Sequence, residues 1–313
     1  MGHERDDIRA AWRENRRRME TALAVQRLRH SRQGIKAGMP LDAATKVAAS
    51  VLVGLGLYGA VSRHAARFVI ERHTLVFPDL PPHFHGYTIL HLSDLHVAAV
   101  PGLMAEAGRR LAAERIDLVV LTGDYQTHGA PAAGAVAVEM AGLLTPLTPV
   151  DGAVAVLGNH DGHTMVDALE GLGIRVLVNE AITVGRHDDM MHLVGTDDIH
   201  AFHTPAAAAV LARPVAGFSI ALVHTPELAD IAAAAGHRLY LCGHTHGGQV
   251  CLPGGVPLLT ALDSHRELAS GHWRRGAMQG YTSRGLGSAR PPLRINCAAE
   301  AAVIRLERNP GFP

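Results

Sequence analysis

Five short motifs carry side chains able to hold metal ions. HLSDLHV supplies Asp94 and His96, and LTGDYQ supplies Asp124. LGNHDGH supplies Asn159, His160 and Asp161. LVHTPE supplies His224, and LCGHTHGGQ supplies His244 and His246. Carboxylates and imidazoles together suit first-row divalent ions such as Mn, Fe and Zn. One Asp can bridge two ions through its two oxygens, and an Asn carbonyl adds a ligand without adding charge. Histidine is abundant, 21 of 313 residues, and imidazole is the commonest metal ligand. Taken singly the motifs say little. Asp-X-His arises by chance, Gly-Asp is usually a turn, and a lone His is more often a hydrogen-bonded structural residue. Gly-Asn-His-Asp and Gly-His-Thr-His are more specific. All five in this order point to a dinuclear site.

Each motif follows an apolar run of strand length. The runs are Thr88–Ser93, Asp117–Thr122, Ala153–Leu157, Phe218–Val223 and Leu239–Cys242, with a further run at Met191–Gly195. Between them lie Ala- and Leu-rich stretches that read as helices: Leu103–Glu114, Ala132–Leu144, Thr164–Leu172 and Glu227–Ala235. Strands alternating with helices predict an α/β fold. In such sheets sites form beyond the carboxyl ends of the strands, so the five motifs should converge there.

The remainder divides the chain. Residues 1–46 form a basic arm containing Arg16, Arg17 and Arg18. It reads as solvated and mobile, with one helical stretch from Met19 to Leu28. Residues 47–62, VAASVLVGLGLYGAVS, carry no charge and sit between Lys46 and Arg63. This is slightly short of the roughly 17–25 residues of a spanning helix, but the basic flanks can snorkel. The expectation is a single-pass N-terminal anchor in the cytoplasmic membrane. Basic residues are denser before it, which places the N-terminus inside and the catalytic domain outside. A connector, 63–82, ends in Pro78, Pro81 and Pro82, and a compact domain fills 83–307. Hydrophobic residues make up 48% of the chain, ample for a core, while aromatics are only 4%. The formal net charge is zero, which argues against a nucleic-acid partner. Three cysteines at irregular spacing form no disulfide framework and no zinc ribbon.

With these motifs the chain resembles the calcineurin-like metallophosphoesterases. LPPHFHGYTILHLSDLH, GHTHGGQVCLP and YTSRGLGSARPPLRINC make it most similar to the branch of membrane-anchored or exported bacterial phosphodiesterases, the YkuE- and YaeI-like proteins. The resemblance implies two packed β-sheets flanked by α-helices, a four-layer sandwich, here preceded by an N-terminal hydrophobic helix. It implies two divalent ions. One would take Asp94, His96, Asp124 and His246; the other would share Asp124 and take Asn159, His224 and His244. His160 would face the substrate phosphate. The chain departs from the family pattern at Thr127, where many members carry an Asp that orients the catalytic His, and at Ala298-Ala299-Glu300, where relatives often read Pro-Pro-Glu.

Two ions roughly 3.5–4 Å apart acidify a bridging water and clamp phosphate oxygens. The expected reaction is attack by the resulting hydroxide on a phosphodiester or pyrophosphate, with His160, if protonated, stabilising charge or protonating the leaving oxygen. Arg290 and Arg294, with Arg284, lie in a late Gly- and Pro-rich segment and are candidates to fork a phosphate. The expected partners are a membrane and a small-molecule or lipid-linked phosphate, for example a UDP-diacylglucosamine-type pyrophosphate. Phe68, Val69, Ile70, Leu75, Val76 and Phe77 of the connector could offer its acyl chains an apolar surface. The competing readings are a phosphomonoesterase or protein phosphatase, a metal-dependent nuclease, and a non-catalytic metal-binding scaffold.

Overall fold

A computed structural model describes residues 2–32, 50, 53–54, 56, 67–128, 130–258 and 260–309. After a long first helix α1 (Gly2–Arg32), the chain runs through β1 (Phe68–Phe77), β2 (Thr88–Leu92), α2 (Leu103–Leu111), β3 (Leu118–Leu121), α3 (Ala133–Leu144), β4 (Ala153–Ala155), α4 (Met165–Glu170) and β5 (Ile174–Val176). It continues through β6 (Glu180–Arg186), β7 (Asp189–Gly195), α5 (Pro205–Leu211), β8 (Phe218–Leu222), α6 (Ala229–Ala234), β9 (Leu239–Cys242), β10 (Gly271–Arg275), β11 (Met278–Thr282) and β12 (Ala299–Arg308).

The strands form two six-stranded sheets, in the orders β1-β12-β2-β3-β4-β5 and β10-β11-β9-β8-β7-β6. Strands β2 to β5 are mutually parallel, as are β7, β8 and β9. Parallel strands need both faces covered, and the cores meet that need. Ile89, Val120, Val154, Leu193, Ile220, Leu241 and Ile304 fill the space between the sheets. Alternate residues Leu90, Leu92, Val119 and Leu121 face out onto α2, α3 and α4. On the far side Ala221, Tyr240 and Cys242 pack under α5 and α6. The layers are therefore helix, sheet, sheet, helix, as the resemblance implies.

Three expectations change. The connector 63–82 is not mere linker, because β1 occupies its middle and pairs with β12 along all ten residues. Phe68, Leu75 and Phe77 are buried in the domain's cores and offer no surface to a lipid tail, whereas Val69 and Val76 stay exposed. The basic arm is not wholly solvated. Its residues 2–32 form one helix whose Arg17 and Arg18 stay in solvent but whose Arg16 is 1% exposed. That helix is polar and is distinct from the expected hydrophobic one at 47–62. Among the described residues no helix is long and apolar enough to cross a membrane. The segment 47–62 lies outside the described residues, apart from 50, 53–54 and 56.

Strand β12 is the one whose composition, AEAAVIRLER, least resembles a strand, yet it bonds to β1 on one side and β2 on the other. Ile304 is fully buried between the sheets. Ile304→Ala should destabilise the fold by about 2–5 kcal/mol. Val138→Ala on an exposed helix face should change stability by no more than about 0.5 kcal/mol. Urea unfolding of both variants measures the difference.

Candidate metal centre

All seven expected ligands converge at the carboxyl ends of the parallel strands. Asp94 and His96 follow β2, Asp124 follows β3, Asn159 follows β4, His224 follows β8, and His244 and His246 follow β9. Sheet one thus supplies the carboxylates and sheet two most of the imidazoles. Five of the ligands hold left-handed backbone: φ is 53° at Asp94, 37° at His96, 60° at Asp124, 71° at His244 and 51° at His246. Such conformations cost on the order of 1–3 kcal/mol each for non-glycine residues, and persist where the surroundings over-determine them. Two neighbouring glycines make room. A Cβ on Gly243 would collide with Ser93 Oγ and Asp94 Oδ2, and one on Gly158 with Asp124 Oδ1.

The ligand atoms fall into two overlapping groups. In the first, His246 Nε2 lies 3.4 Å from Asp94 Oδ1 and 3.2 Å from His96 Nε2, which is 3.6 Å from Asp124 Oδ2. In the second, His224 Nε2 lies 3.4 Å from Asp124 Oδ2 and 3.0 Å from Asn159 Oδ1, and His244 Nδ1 is 2.9 Å from the same Asn oxygen. Asp124 belongs to both, as a bridge must.

The donor chemistry fits divalent ions. His96 Nδ1 lies 2.7 Å from the Gln126 carbonyl, and His224 Nδ1 lies 2.7 Å from the Thr122 carbonyl. Those bonds place the proton on Nδ1 and turn the Nε2 lone pairs inward, the usual outer support of a metal-bound His. Lone pairs then face lone pairs, which is unfavourable without a cation between them. Asp94 Oδ1 is buried and meets no hydrogen-bond donor among the described residues. Burial, and the charge of Asp124, push the Asp94 carboxyl up, while His224 and His160 outweigh burial and hold Asp124 well below the carboxylate range. Burial would depress His224, but Asp124 and Asp94 carry it to about 10. A proton there stands in for metal charge. Burial keeps His244 neutral, at about 3, and His246 well below its ordinary value, the form that ligates.

His160 stands at the rim. Its Nδ1 accepts the His128 backbone N–H at 3.1 Å, which assigns the ring proton to Nε2, 3.8 Å from Asp124 Oδ2. Burial lowers its pKa to about 3, so it serves as a neutral donor rather than as an imidazolium. The Thr127 hydroxyl meets His96 Nδ1 at 3.1 Å and leaves His160 to the backbone. Asp161 does not replace the missing Asp either. Its carboxylate accepts the backbone N–H groups of Asp124, Tyr125, Gln126 and Gly158 at 2.8–3.0 Å. It ties the Asp124 loop to the Asn159 loop.

The arginines expected to hold phosphate all have partners within the protein. Arg294 is 1% exposed and donates to the carbonyls of Arg284 (2.7 Å) and Gly287 (2.6 Å) and to Ser288 Oγ (3.0 Å). It braces the loop behind His246. Arg284 pairs with Glu71 and Glu300, and exposed Arg290 donates to the Ala98 carbonyl. Sequence reading missed the contribution of α1. A cleft of about 150 Å³ beside His160 and Asn159 has Glu20, Leu23 and Ala24 of α1 on one side and His128 and Phe202 on the other.

The family model for calcineurin-like phosphoesterases matches residues 87–248. That span contains every one of the seven ligands. The chain belongs to the calcineurin-like phosphoesterase family. It is 32% identical over 252 residues to phosphodiesterase YaeI of Escherichia coli strain K12, covering 76% of this chain and 88% of that protein. It is 29% identical over 278 residues to the uncharacterized metallophosphoesterase YkuE of Bacillus subtilis strain 168, covering 83% and 93%. The chain is accordingly a metal-dependent phosphoester hydrolase.

Metal analysis of the wild-type chain after loading and dialysis should give two ions per chain. Asp124→Asn should weaken both sites and remove activity. Gly243→Ala should displace Asp94 and strip at least the Asp94–His246 site. A fully loaded wild type holding one ion at most overturns the dinuclear arrangement.

Proposed function

We propose that the chain hydrolyses phosphodiester or pyrophosphate bonds and acts on lipid-linked or envelope-derived substrates at a membrane. The observation that carries the diester reading is the lining of the cleft beside His160. Among the described residues it includes no Arg or Lys, and it includes the carboxylate of Glu20. A phosphomonoester brings two negative charges near neutral pH and would face that carboxylate, which is shared with Arg16 and His163, with no cation among the described lining residues. A diester brings one charge and a second organic group, for which Leu23 and Phe202 offer apolar contact. The relationship to YaeI, named as a phosphodiesterase, supports the same choice.

Bound divalent ions would supply Lewis acidity toward phosphoryl oxygens and water. Asp94, His96, Asp124 and His246 would hold one ion, and Asp124, Asn159, His224 and His244 the other. The chain's own groups do the rest. His160 Nε2–H points from the rim toward Asp124 and can donate to a phosphoryl or leaving oxygen. Asp161 holds the loops of Asp124 and Asn159 in register through backbone N–H groups. The membrane part of the proposal rests on the uncharged segment 47–62.

His160→Ala should lower turnover by roughly 10²–10⁴-fold, the range of a positioned proton donor, with metal content near wild type. A rate unchanged across leaving groups removes its assigned role. The purified chain should hydrolyse bis-p-nitrophenyl phosphate or a lipid-linked diphosphate faster than p-nitrophenyl phosphate, and phospholipid vesicles should raise the rate on the lipid substrate. A strong preference for monoesters, indifferent to vesicles, overturns the substrate class.

A further inference from the structure

We propose that α1 is a working part of the active site, in which Arg16 positions the loop carrying Asn159 and His160 while Glu20 and Leu23 wall the substrate cleft. The contacts are long-range and specific. Arg16 Nη2 donates to the carbonyls of Gly158 (3.2 Å) and Asp161 (3.0 Å), which bracket Asn159 and His160. Its Nη1 pairs with Asp197 Oδ1, both residues being 1% exposed. The guanidinium lies 3.4 Å over the Phe202 ring, and Trp12 Nε1 donates to the second Asp197 oxygen at 2.6 Å. One helical turn beyond Arg16, Glu20 accepts the His163 N–H at 2.6 Å and meets His163 Nδ1 at 2.7 Å.

The loop from Gly158 to Asp161 is therefore held from two sides. Asp161 takes N–H groups from within, including that of Gly158, and Arg16 takes carbonyls from without. A helix that merely rested on the surface would be served by exposed ion pairs such as Arg13 with Asp167, which contribute little. A buried Arg requires its partners, because losing one leaves an uncompensated charge away from water. Those partners are two metal-loop carbonyls and the Asp197 carboxylate, with Glu20 Oε1 at 3.7 Å from Nε. A shift of about 1 Å in a catalytic loop can cost on the order of 100-fold in rate, so the brace bears directly on turnover. The Arg16 brace depends on the metal centre alone, whereas the wall of Glu20 and Leu23 rests on the proposed diester reading.

The test uses the full chain in a Trp273→Phe background, where Trp12 is the sole tryptophan and reports docking of α1. Arg16→Ala should red-shift Trp12 emission and speed amide exchange at residues 158–161. It should also weaken one of two Mn sites, that of Asn159, and lower kcat about 10–100-fold. Arg16→Lys should restore part of kcat, and Arg13→Ala should leave all of these unchanged. Leu23→Trp, on a half-buried face, should raise KM for bis-p-nitrophenyl phosphate more than for p-nitrophenyl phosphate. Glu20→Gln should shift the selectivity between the two toward the monoester. Arg16→Ala that frees Trp12 while kcat, KM and Mn binding stay at wild type overturns the positioning role. Should that variant fail to fold, Leu23→Trp and Glu20→Gln decide, and unchanged KM and selectivity in both overturn the proposal.

Discussion

Two carboxylates and four imidazoles are forced together, largely out of water, with their unprotonated edges facing inward. Nothing in such a cluster is self-stabilising without cations, and five of its members also hold left-handed backbone. The rest of the molecule answers that constraint. Parallel strands from both sheets end at one level, so each ligand lies within four residues of a rigid support. Gly158 and Gly243 let the loops approach within contact of Asp124 and Asp94. The buried layer between the sheets keeps the two halves of the ligand set at fixed spacing. A typical domain has only about 5–15 kcal/mol of net stability, so strain of a few kcal/mol at the site must be offset by that core.

Hydrogen bonding completes the arrangement, mainly through the main chain. The outward nitrogens of His96 and His224 meet carbonyls, and His160 is oriented by a backbone N–H. Asp161 organises four N–H groups at once. Main-chain partners cannot be lost by substitution of their own side chain. The position taken by Thr127, where many relatives have an orienting carboxylate, is thus compatible with an ordered His160.

The legible part of the fold was the part with strong local signals. Strands β2, β3, β4, β8 and β9 are apolar runs, three of them closed by Gly-containing turns, and their motifs carry the seven residues that converge. The α/β class and the helices α2, α3, α4 and α6 followed from alternation. Strands β6 and β10 were not legible because they sit at sheet edges with half their residues in solvent. β5 has only three residues. β12 is rich in Ala, Glu and Arg, which favour helices, and becomes a strand because β1 and β2 flank it. Tertiary pairing overrides propensity there. The misread arginines share one cause. Arg16 is buried by residues far away in sequence and Arg294 by the fold of its own loop, and no local pattern distinguishes a buried guanidinium from a solvated one. The stripe Arg9, Trp12, Arg16, Glu20 and Leu23, at steps of three or four, was the available sign that one face of α1 has a partner.

Docking of α1 also constrains how the chain can meet a bilayer. Arg9 reaches Glu170 and Glu180, Trp12 and Arg16 reach Asp197, and Glu20 reaches His163. These bonds require α1 and the sheets to share one aqueous compartment. A single crossing between Arg32 and Arg67 would put them in different ones. The docked state and an arm left inside with its domain outside are therefore mutually exclusive for one chain. A docked chain whose segment 47–62 met a bilayer would have to keep both ends of that interval on one side of it. Its active-site mouth, walled by α1, would then stay tethered to the same face on which the N-terminus lies.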